Sequence, residues 1–591
     1  MIVPMKKVAI LVQDKDAESA VASLRSLGVV HVENQQPPGG PELGALNEDI
    51  NLLDAAIGIL STAAGSVSGD KVDKGPQDWR SAARHVVDCM KRIEQLEDYS
   101  LNLAKAISDW EAWGDFEPEA VAVLAKKNVF VKLYQIPLKE YRKLKPEAVL
   151  REISVTSGMV NCVLVSRDNI DLPFKETPLP KASLSKMRQR VAEDKRVAVS
   201  LKEELKRQLP LLAGFLDTKG LLRQELEFCT ALKGMGQEGG FSYLAGYAPV
   251  DACAALTQKA KREKWAVMIS EPSGEDKVPT LIRNPRWISI IAPVFRMIEI
   301  VPGYRELDIS LWFLIFFSVF FGILIGDAGY GAVYFLFTLI VQRKLGAKLK
   351  DKSVFVLFYI LSLCAVAWGL LSGTIFGQAW LPEHLKPLIP ALRNDSKVQS
   401  LCFLIGALHL NIAHLWRFAI KMPSLSALAE LGWALILWVA FFLARTLILS
   451  YPFPAFATWL LIGGLGLVLL FSSPQKNILK GIGAGLGVLL LNLVNNFTDI
   501  VSYIRLFAVG LATVAIADAF NAMAMGIGYN NIFSGVATSL ILVLGHMLNV
   551  VLGPLSMLVH GVRLNVLEFS SHLDVKWSGI AYRPLREKAK D

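Results

Sequence analysis

Charge is scarce in the second half of this sequence, and that scarcity decides the class of protein. Of the 591 residues 53% are hydrophobic and 19% are charged, and 81 of the 115 charged residues precede residue 300. Beyond residue 308 the chain contains apolar runs of roughly 20 residues, the length that crosses the hydrocarbon core of a bilayer. The sequence excludes a wholly soluble protein and predicts an integral membrane protein with a large soluble N-terminal part.

The signatures of several kinds of chemistry are also missing. The six cysteines show no CxxC spacing and no disulfide-like pattern, so we interpret them as inert buried thiols. No G-x-x-x-x-G-K-[ST] motif occurs, so the chain has no P-loop. His31 and His85 stand alone in the sequence and are interpreted as structural or surface residues. We predict no metal, no cofactor and no catalytic constellation, and hence a chain that is not itself an enzyme.

Three further observations concern ligands, partners and compartment. The G-x-G-x-x-G match at 234–239 lies between a predicted helix and a predicted strand, the reverse of the order in a dinucleotide site, and is interpreted as a turn. The net charge of +9 comes without a basic and aromatic surface, so nucleic acid is not an expected partner. The first apolar run, VAILV, is too short for a signal peptide, which places the N-terminal half in the cytoplasm.

The soluble half carries two segments with heptad-like spacing on a strongly charged background. The apolar positions are Leu46, Ile50, Leu53, Ile57, Leu60, Ile93, Leu96, Leu103 and Ile107 in the first, and Leu184, Met187, Val191, Ala198, Leu201 and Leu205 in the second. Such narrow apolar stripes predict an antiparallel coiled coil, formed by about 43–112 and 181–232. The β-rich stretches KKVAILVQ, VVHVEN, KNVFVKLYQIP, MVNCVLVS, FSYLAGY and KWAVMIS predict small α/β lobes. Residues 1–300 are therefore expected to form a cytosolic α+β arm.

Eight membrane spans are predicted in an α-helical domain at 301–575. They are 309–326, 328–342, 353–376, 398–418, 427–449, 457–473, 482–526 and 532–570. Lys and Arg are concentrated in the connections after the second, fourth and sixth spans, whereas the loops SYPFPAFA and GYNNIF carry neither. This asymmetry predicts that the N-terminus and the 576–591 tail both lie in the cytoplasm.

The last two spans are abnormal in length and in polarity. At about 1.5 Å per residue both are longer than a bilayer is thick, so they are expected to tilt, bend or project from the membrane. The seventh contains Asp499, Ser502, Tyr503, Arg505 and Asp518, and the eighth contains His546, Asn549, Ser556, His560, Arg563 and Glu568.

Arg505 is the most demanding of these residues. A guanidinium cannot shed its proton, and one charge at mid-membrane costs from about 3 to more than 10 kcal/mol, so such a residue normally faces a cavity, a partner or a pathway. A structural pair with Asp499 is the alternative, but a spacing of six residues puts the two side chains on nearly opposite faces of a helix. For Arg563, a pair with Glu568 near the cytoplasmic end stays open as an alternative.

Two other features receive simpler interpretations. His409 and His414 lie on one span without accompanying acids, so they are interpreted as interior hydrogen-bonding groups and not as a metal site. Asp327, in the GDAGYG turn between the first two spans, is predicted to cap or order that hairpin.

Several motifs carry a resemblance to a known family. They are SYIRLFAVGLA and HGVRLNVLEF in the last two spans, GYRELDISLWFLIFFSVFFGILIGDAGYG at 303–331, and GLLSGTIFG at 369–377. KKVAILVQ…LGVVHVEN at the start, LAGYAPVD at 244–251 and HLDVKWSGIAYRPL near the end extend the match over essentially the whole chain. In these motifs the chain resembles the membrane subunit of V/A-type rotary ATPases, called subunit a or subunit I.

The resemblance implies a function for each part of the chain. The arm would bind peripheral stalk subunits of the E/G type and a central-stalk d/C-type subunit, and so connect to the catalytic A/B head. The two long helices would lie in the lipid bilayer against a rotating ring of proteolipid c/K subunits. Arg505 would be the essential arginine that meets each ring carboxylate and blocks a direct leak.

The resemblance also implies which polar residues line the ion half-channels. His560, Arg563 and Glu568 match polar positions of the second long helix, and Ser502, Tyr503, Asp499 and Asn549 complete the predicted ion-translocation set. Some relatives have a glutamate about ten residues before the second arginine, where this chain has Gly553 followed by Pro554. Asn549 or His546 is the candidate substitute for that glutamate.

Two other classes of protein compete with this interpretation. A stand-alone secondary transporter with an intramembrane arginine for an anionic substrate predicts an internal inverted repeat, which the sequence does not show. A purely structural anchor leaves the cost of Arg505 unexplained. The absence of organelle-targeting segments favours the plasma membrane of a prokaryote, with H⁺ or Na⁺ as the ion.

Overall fold

A computed structural model describes residues 1–64, 78–144, 149–156, 158–347, 349, 351–377, 387–471 and 478–587, with the backbone alone described over 478–488. Two compact units divide the chain. The first comprises Met1–Ala9, Gly246–Arg262 and Val267–Pro584, and the second comprises Ile10–Ala245, Glu263–Ala266 and Leu585–Asp591. The domain boundaries predicted near 300 and 575 remain predictions.

Two sheets and a small strand pair contain the strands. One sheet has the order β2-β8-β1-β9 with β7 beside β8, the other has the order β4-β5-β3-β6, and β10 pairs with β11. The strands are β1 Met5–Gln13, β2 His31–Glu33, β3 Phe130–Pro137, β4 Val149–Thr156, β5 Met159–Ser166, β6 Glu176–Thr177, β7 Gly236–Glu238, β8 Phe241–Pro249, β9 Ala266–Ser270, β10 Pro279–Thr280 and β11 Ile580–Ala581. All six strand stretches predicted from the sequence form strands.

The turn predicted from the G-x-G-x-x-G match is confirmed. β7 and β8 form an antiparallel hairpin, and its connection is made by Gly239 and Gly240, with φ of +58° and +84°. Such positive φ values favour glycine, which explains the glycine content of the segment without any dinucleotide site. The sequence interpretation missed β4, because this edge strand is exposed along most of its length and lacks apolar alternation.

The helices of the N-terminal half include the predicted antiparallel pairs. They are α1 Ala17–Leu27, α2 Pro41–Ala64, α3 Trp79–Glu111, α4 Pro118–Lys126, α5 Leu138–Tyr141, α6 Leu184–Arg207, α7 Leu211–Lys233, α8 Cys253–Glu263 and α9 Ala292–Met297. Glu111 of α3 pairs with Arg188 of α6 at 2.7 Å and Glu97 pairs with Lys202 at 2.6 Å, so the two helices run antiparallel. α2 and α7 also run antiparallel, because Glu42 at the start of α2 pairs with Lys233 at the end of α7.

The helices of the C-terminal half lie at the positions of the predicted spans. They are α10 Ser310–Ile325, α11 Ala328–Leu345, α12 Ser353–Ser372, α13 Asp395–Lys421, α14 Ala427–Leu449, α15 Ala455–Phe471, α16 Ile478–Ser502, α17 Ile504–Ile527, α18 Ile532–Ser556 and the short α19 Ser570–His572. Within the described part of the chain five stretches are long and apolar enough to cross a membrane: Ser353–Ser372, Asp395–Lys421, Ala427–Leu449, Leu489–Ile527 and Ile532–His572. α10 and α15 are shorter apolar helices, so the count of eight spans stays a prediction.

Helix ends correct some predicted boundaries. The third span was expected to reach residue 376, but α12 ends at Ser372, where Gly373 has a φ of +72° and caps the helix. The small-residue packing face predicted for Gly483 and Gly487 falls where the backbone alone is described. Two lysines of the second connection, Lys348 and Lys350, lie outside the described residues.

Asp327 orders the hairpin between α10 and α11, as predicted. Its Oδ1 accepts the backbone N–H groups of Gly329 at 2.7 Å and Tyr330 at 3.2 Å, which caps α11. Its Oδ2 accepts the N–H of Gly377 at 2.9 Å and so ties the segment after α12 to the same turn. Because the side chain is fully buried, each of these donors depends on this carboxylate.

We expect Asp327→Ala to destabilise the helical region strongly. The loss of the cap costs about 1 kcal/mol, and each buried N–H left without an acceptor costs about 1–3 kcal/mol more. Asp327→Asn should cost less, because one amide oxygen still accepts, although the amide nitrogen then faces a donor. Thermal unfolding of the purified chain in detergent measures both changes. Equal stability of Asp327→Ala and the unmodified chain would contradict this account of the hairpin.

Candidate functional site

A bend between α16 and α17 positions the residues around Arg505. Tyr503, at the bend, is fully buried, and its hydroxyl lies 2.8 Å from Nδ1 of His409 on α13. The His409 ring is in turn stacked between Phe316 at 3.8 Å and Phe569 at 4.1 Å. This aromatic anchor fixes the backbone two residues before Arg505, and it confirms His409 as an interior hydrogen-bonding group.

Arg505 lacks a partner for one of its nitrogens. Its Nη1 is buried and makes no hydrogen bond to any described residue. Asp499, the acid considered as its structural partner, instead lies 3.1 Å from Nε2 of His572. The alternative of an Arg505–Asp499 pair is therefore wrong, as the six-residue spacing indicated.

Glu568 is the acid of the eighth span that lies within electrostatic reach of Arg505. It is 5% exposed, its Oε1 is 3.6 Å from Nε of Arg563, and its Oε2 has no hydrogen-bond partner among the described residues. The half-buried His560 experiences the charges of both Arg505 and Arg563. These four residues thus influence one another electrostatically across the two long helices, and their role in ion movement stays a prediction.

A polar cavity of about 590 Å³, which we call the Glu430 cavity, is lined in part by Asp499. Glu430 forms an ion pair with Arg417 at 3.1 Å and accepts from Lys421 at 2.5 Å, and it lies 2.8 Å from Nδ1 of His414. Nε2 of His414 is 2.9 Å from His572, whose other ring nitrogen meets Asp499. A continuous chain of titratable groups therefore runs along the cavity from Glu430 to Asp499.

This chain corrects the sequence interpretation of His414. His414 was expected to have no accompanying acid, but folding brings Glu430 from the start of α14 against it. Glu430 and His572 were missed as site residues. The sequence feature that could have indicated this site is Glu430 itself, because it is an acid in the first turn of a mostly apolar helix.

A second cavity of about 580 Å³, which we call the Asp518 cavity, borders the residues of α17 that follow Arg505. It reaches Leu506, Phe507 and Gly510 of α17, directly after Arg505 in the chain. Its polar lining is provided by Ser372, Thr374, Arg393, Asp395 and Asp518. The stretch from Asp499 to Leu506 thus borders one polar cavity at its start and another at its end.

The whole chain is similar to bacterial relatives. It is 31% identical to V-type ATP synthase subunit I of Borreliella burgdorferi over 622 aligned positions, and 32% identical to V-type ATP synthase subunit I 1 of Treponema pallidum over 646, in each case covering all of both chains. The chain belongs to the V/A-type ATP synthase subunit I family. A-type ATP synthase subunit I of Methanocaldococcus jannaschii is 25% identical over 52% of this chain and 49% of its own length.

Comparisons with protein-family models and with solved structures add less to the family assignment. No protein-family model matches the chain. A solved structure, the cytoplasmic N-terminal domain of subunit I, homolog of subunit a, of V-ATPase, is 16% identical and covers 45% of this chain and 99% of its own, with a TM-score of 0.22. As a subunit I, the chain is a multi-pass membrane subunit of a rotary ATPase, and the sequence-based recognition is confirmed.

A proline inside α18 follows Gly553 in this subunit I. Pro554 has no N–H to donate to the carbonyl of Val550, and the hydroxyl of Tyr334 donates to that carbonyl instead, at 3.0 Å. A Cβ at Gly553 would lie 2.6 Å from the same hydroxyl, so a glutamate there would displace the Tyr334 side chain. After Pro554 the helix widens into π-helical turns at Met557–Gly561 and Leu564–Phe569, which carry His560 and Glu568.

Three predicted site residues make hydrogen bonds within the helical region. The buried Asn549 amide donates to the Tyr330 hydroxyl and to the Thr513 carbonyl, both at 3.0 Å. Ser502 donates to the Thr498 carbonyl one turn earlier, at 2.9 Å, and Tyr503 meets His409. Asn549 therefore joins α18 to α11 and α17, and a role for these three residues in ion movement stays a prediction.

We expect Tyr334→Phe to lower the free energy of unfolding by about 1–3 kcal/mol, because the Val550 carbonyl then loses its donor inside the helical region. Tyr99→Phe is the matched control, since that ring is 49% exposed on the arm. Thermal or denaturant unfolding in detergent gives the comparison. If the two variants are equally stable, Tyr334 does not compensate for Pro554.

Proposed function

We propose that this chain is the stator subunit that couples H⁺ or Na⁺ movement to rotation in a V/A-type ATPase. The observation that carries the proposal is the buried Nη1 of Arg505, which has no hydrogen-bond partner among the described residues and belongs to the stretch whose ends border the Glu430 cavity and the Asp518 cavity. A cation held in this way attracts an acid from another subunit. The proteolipid ring would supply that acid as one carboxylate at a time.

The two cavities are proposed as half-channels. An ion entering through one cavity would reach a ring carboxylate near Arg505, and it would leave through the other after nearly a full rotation. A neighbouring guanidinium stabilises the ionised carboxylate, so it promotes release of the bound ion. In the Glu430 cavity the His414–His572–Asp499 chain would carry the ion, and His560, Arg563 and Glu568 would line the path next to the ring.

The surface of α18 supports a neighbour at this position. Its exposed apolar side chains include Leu540, Val543, Leu544, Met547, Leu548, Val551 and Leu555. Only 17% of the most apolar part of Ile532–His572 is buried within the chain, although Arg505 and the charged residues near it lie alongside. A helical ring in the bilayer would cover such a face, as lipid would where the ring is absent.

The remaining partners and the location follow from the same proposal. The arm would bind E/G-type peripheral stalks and a d/C-type central-stalk subunit, which connect to the A/B head. The Glu430 cavity opens beside Lys421, in a connection whose basic residues predict the cytoplasmic side. We infer a prokaryotic plasma membrane with both termini in the cytoplasm. A stand-alone transporter is not favoured, because the full-length relatives are named as ATP synthase subunits.

We expect Arg505→Ala and Arg505→Lys to reduce ATP-driven ion uptake to background in reconstituted complexes, with assembly unchanged. Lysine keeps the charge but lacks the planar fork that pairs with a carboxylate. Arg343→Ala, which removes an exposed arginine of α11, is the matched control and should pump normally. Normal uptake by either Arg505 variant would overturn the proposed function.

A second prediction tests the cavities through cysteine accessibility. In a chain without its native cysteines, Asn495→Cys lies in the Glu430 cavity and Ala515→Cys lies in the Asp518 cavity, and both positions are exposed. We expect a membrane-impermeant thiol reagent to label the first from the cytoplasmic side and the second from the opposite side. Leu540→Cys, on the exposed apolar face of α18, should resist labelling from both. Labelling of both cavity positions from one side would contradict the half-channels.

A further inference from the structure

Three side chains of the kinds that bind metal ions meet where α3 packs against α6. His85 and Cys89 lie four residues apart on one face of α3, and Glu204 reaches them from α6. Their ligand atoms all lie within 4.8 Å of one another. From the sequence His85 stands alone and Cys89 is an inert thiol, because Glu204 follows His85 by 119 residues.

The distances are close to those of a tetrahedral metal site. Sγ of Cys89 lies 3.6 Å from Nε2 of His85, and that nitrogen lies 2.8 Å from Oε1 of Glu204. Zinc bonds of about 2.3 Å to sulfur and 2.0–2.1 Å to nitrogen, at a tetrahedral angle, place the two ligand atoms about 3.5 Å apart. The sulfur–nitrogen distance already satisfies this geometry. The carboxylate needs to move only about 0.5 Å away from the ring to satisfy it as well.

Burial and charge at the cluster both favour a cation. Cys89 is 6% exposed, whereas the side chains of His85 and Glu204 are 48% and 42% exposed, so the sulfur lies at the base of a site that is open to solvent. The carboxylates of Glu204 and Asp88 place negative charge near Cys89. A divalent cation is attracted by this charge, binds the thiolate directly and neutralises the nearby carboxylate.

We propose that His85, Cys89 and Glu204 bind one Zn²⁺ ion, with the fourth position held by water or by a side chain of another subunit. A set of one nitrogen, one sulfur and one oxygen ligand suits zinc, whereas Mg²⁺ and Ca²⁺ prefer oxygen ligands alone. The thiolate and the carboxylate together balance the charge of the ion. The bound ion joins α3 to α6 and fixes the register of this helix pair in the arm.

The test uses the full-length chain in detergent, without a histidine tag and after treatment with a chelator. Co²⁺ is the spectroscopic probe and Zn²⁺ is the competitor. We expect one equivalent of Co²⁺ to bind with tetrahedral d–d bands and a sulfur-to-cobalt charge-transfer band, and Zn²⁺ to displace it. Cys89→Ser should abolish the charge-transfer band, and Glu204→Gln should weaken binding by at least about tenfold.

Two matched controls separate ligand loss from general damage to the arm. Glu203→Gln removes the same charge from the adjacent, exposed position of α6, and Cys229→Ser removes a partly buried thiol from α7. Both should bind Co²⁺ as the unmodified chain does. Zn²⁺ should raise the unfolding temperature of the unmodified chain and of both controls, but not that of Glu204→Gln. Absence of a charge-transfer band, or unchanged binding by Cys89→Ser and Glu204→Gln, would overturn the proposal.

Discussion

The charge of Arg505 is the constraint on which the arrangement of the two long helices depends. An arginine at mid-membrane costs from about 3 to more than 10 kcal/mol, which is comparable with the whole stability of a domain, about 5–15 kcal/mol. Glu568 offsets part of this cost from the second helix, but Nη1 has no hydrogen-bond partner among the described residues. The chain therefore carries an incomplete ion pair. An acid from outside the chain would stabilise Arg505 most by binding Nη1, the nitrogen that the pair leaves unsatisfied.

An incomplete pair is useful only if it is held in place, and the aromatic anchor provides this rigidity. Tyr503 and Arg505 are two residues apart, so along a helical path the second side chain is rotated about 200° around the helix axis from the first. The two side chains therefore point to nearly opposite sides. Because Tyr503 is held in the core by His409, and His409 is clamped between Phe316 and Phe569, Arg505 is directed away from that core. The buried groups thus help to fix the direction of a guanidinium whose Nη1 has no partner among the described residues.

Local sequence patterns predicted the elements but not their long-range contacts. The apolar runs, the heptads and the Asp327 cap each lie within one short stretch, so periodicity and capping rules locate them. The series of titratable side chains from Glu430 to Asp499 joins α13, α14, α16 and α19. No single stretch of sequence indicates that these residues are close together. The same limit applies to Gly553. A side chain at this position would approach the hydroxyl of Tyr334, which lies on a helix more than 200 residues earlier in the chain.

The separation of the two cavities follows from the same charge. A cation that moved directly from the Asp499 end of one cavity to the Leu506 end of the other would pass Arg505. At 4 Å and an effective dielectric constant of 20, the repulsion between two unit charges is about 4 kcal/mol, which lowers the probability of that passage about a thousandfold. In the proposed function, a ring carboxylate that moves past Arg505 without its ion does not meet this barrier, because its charge has the opposite sign. We therefore propose that the residue that is costly to bury is also the one that makes ion movement depend on rotation.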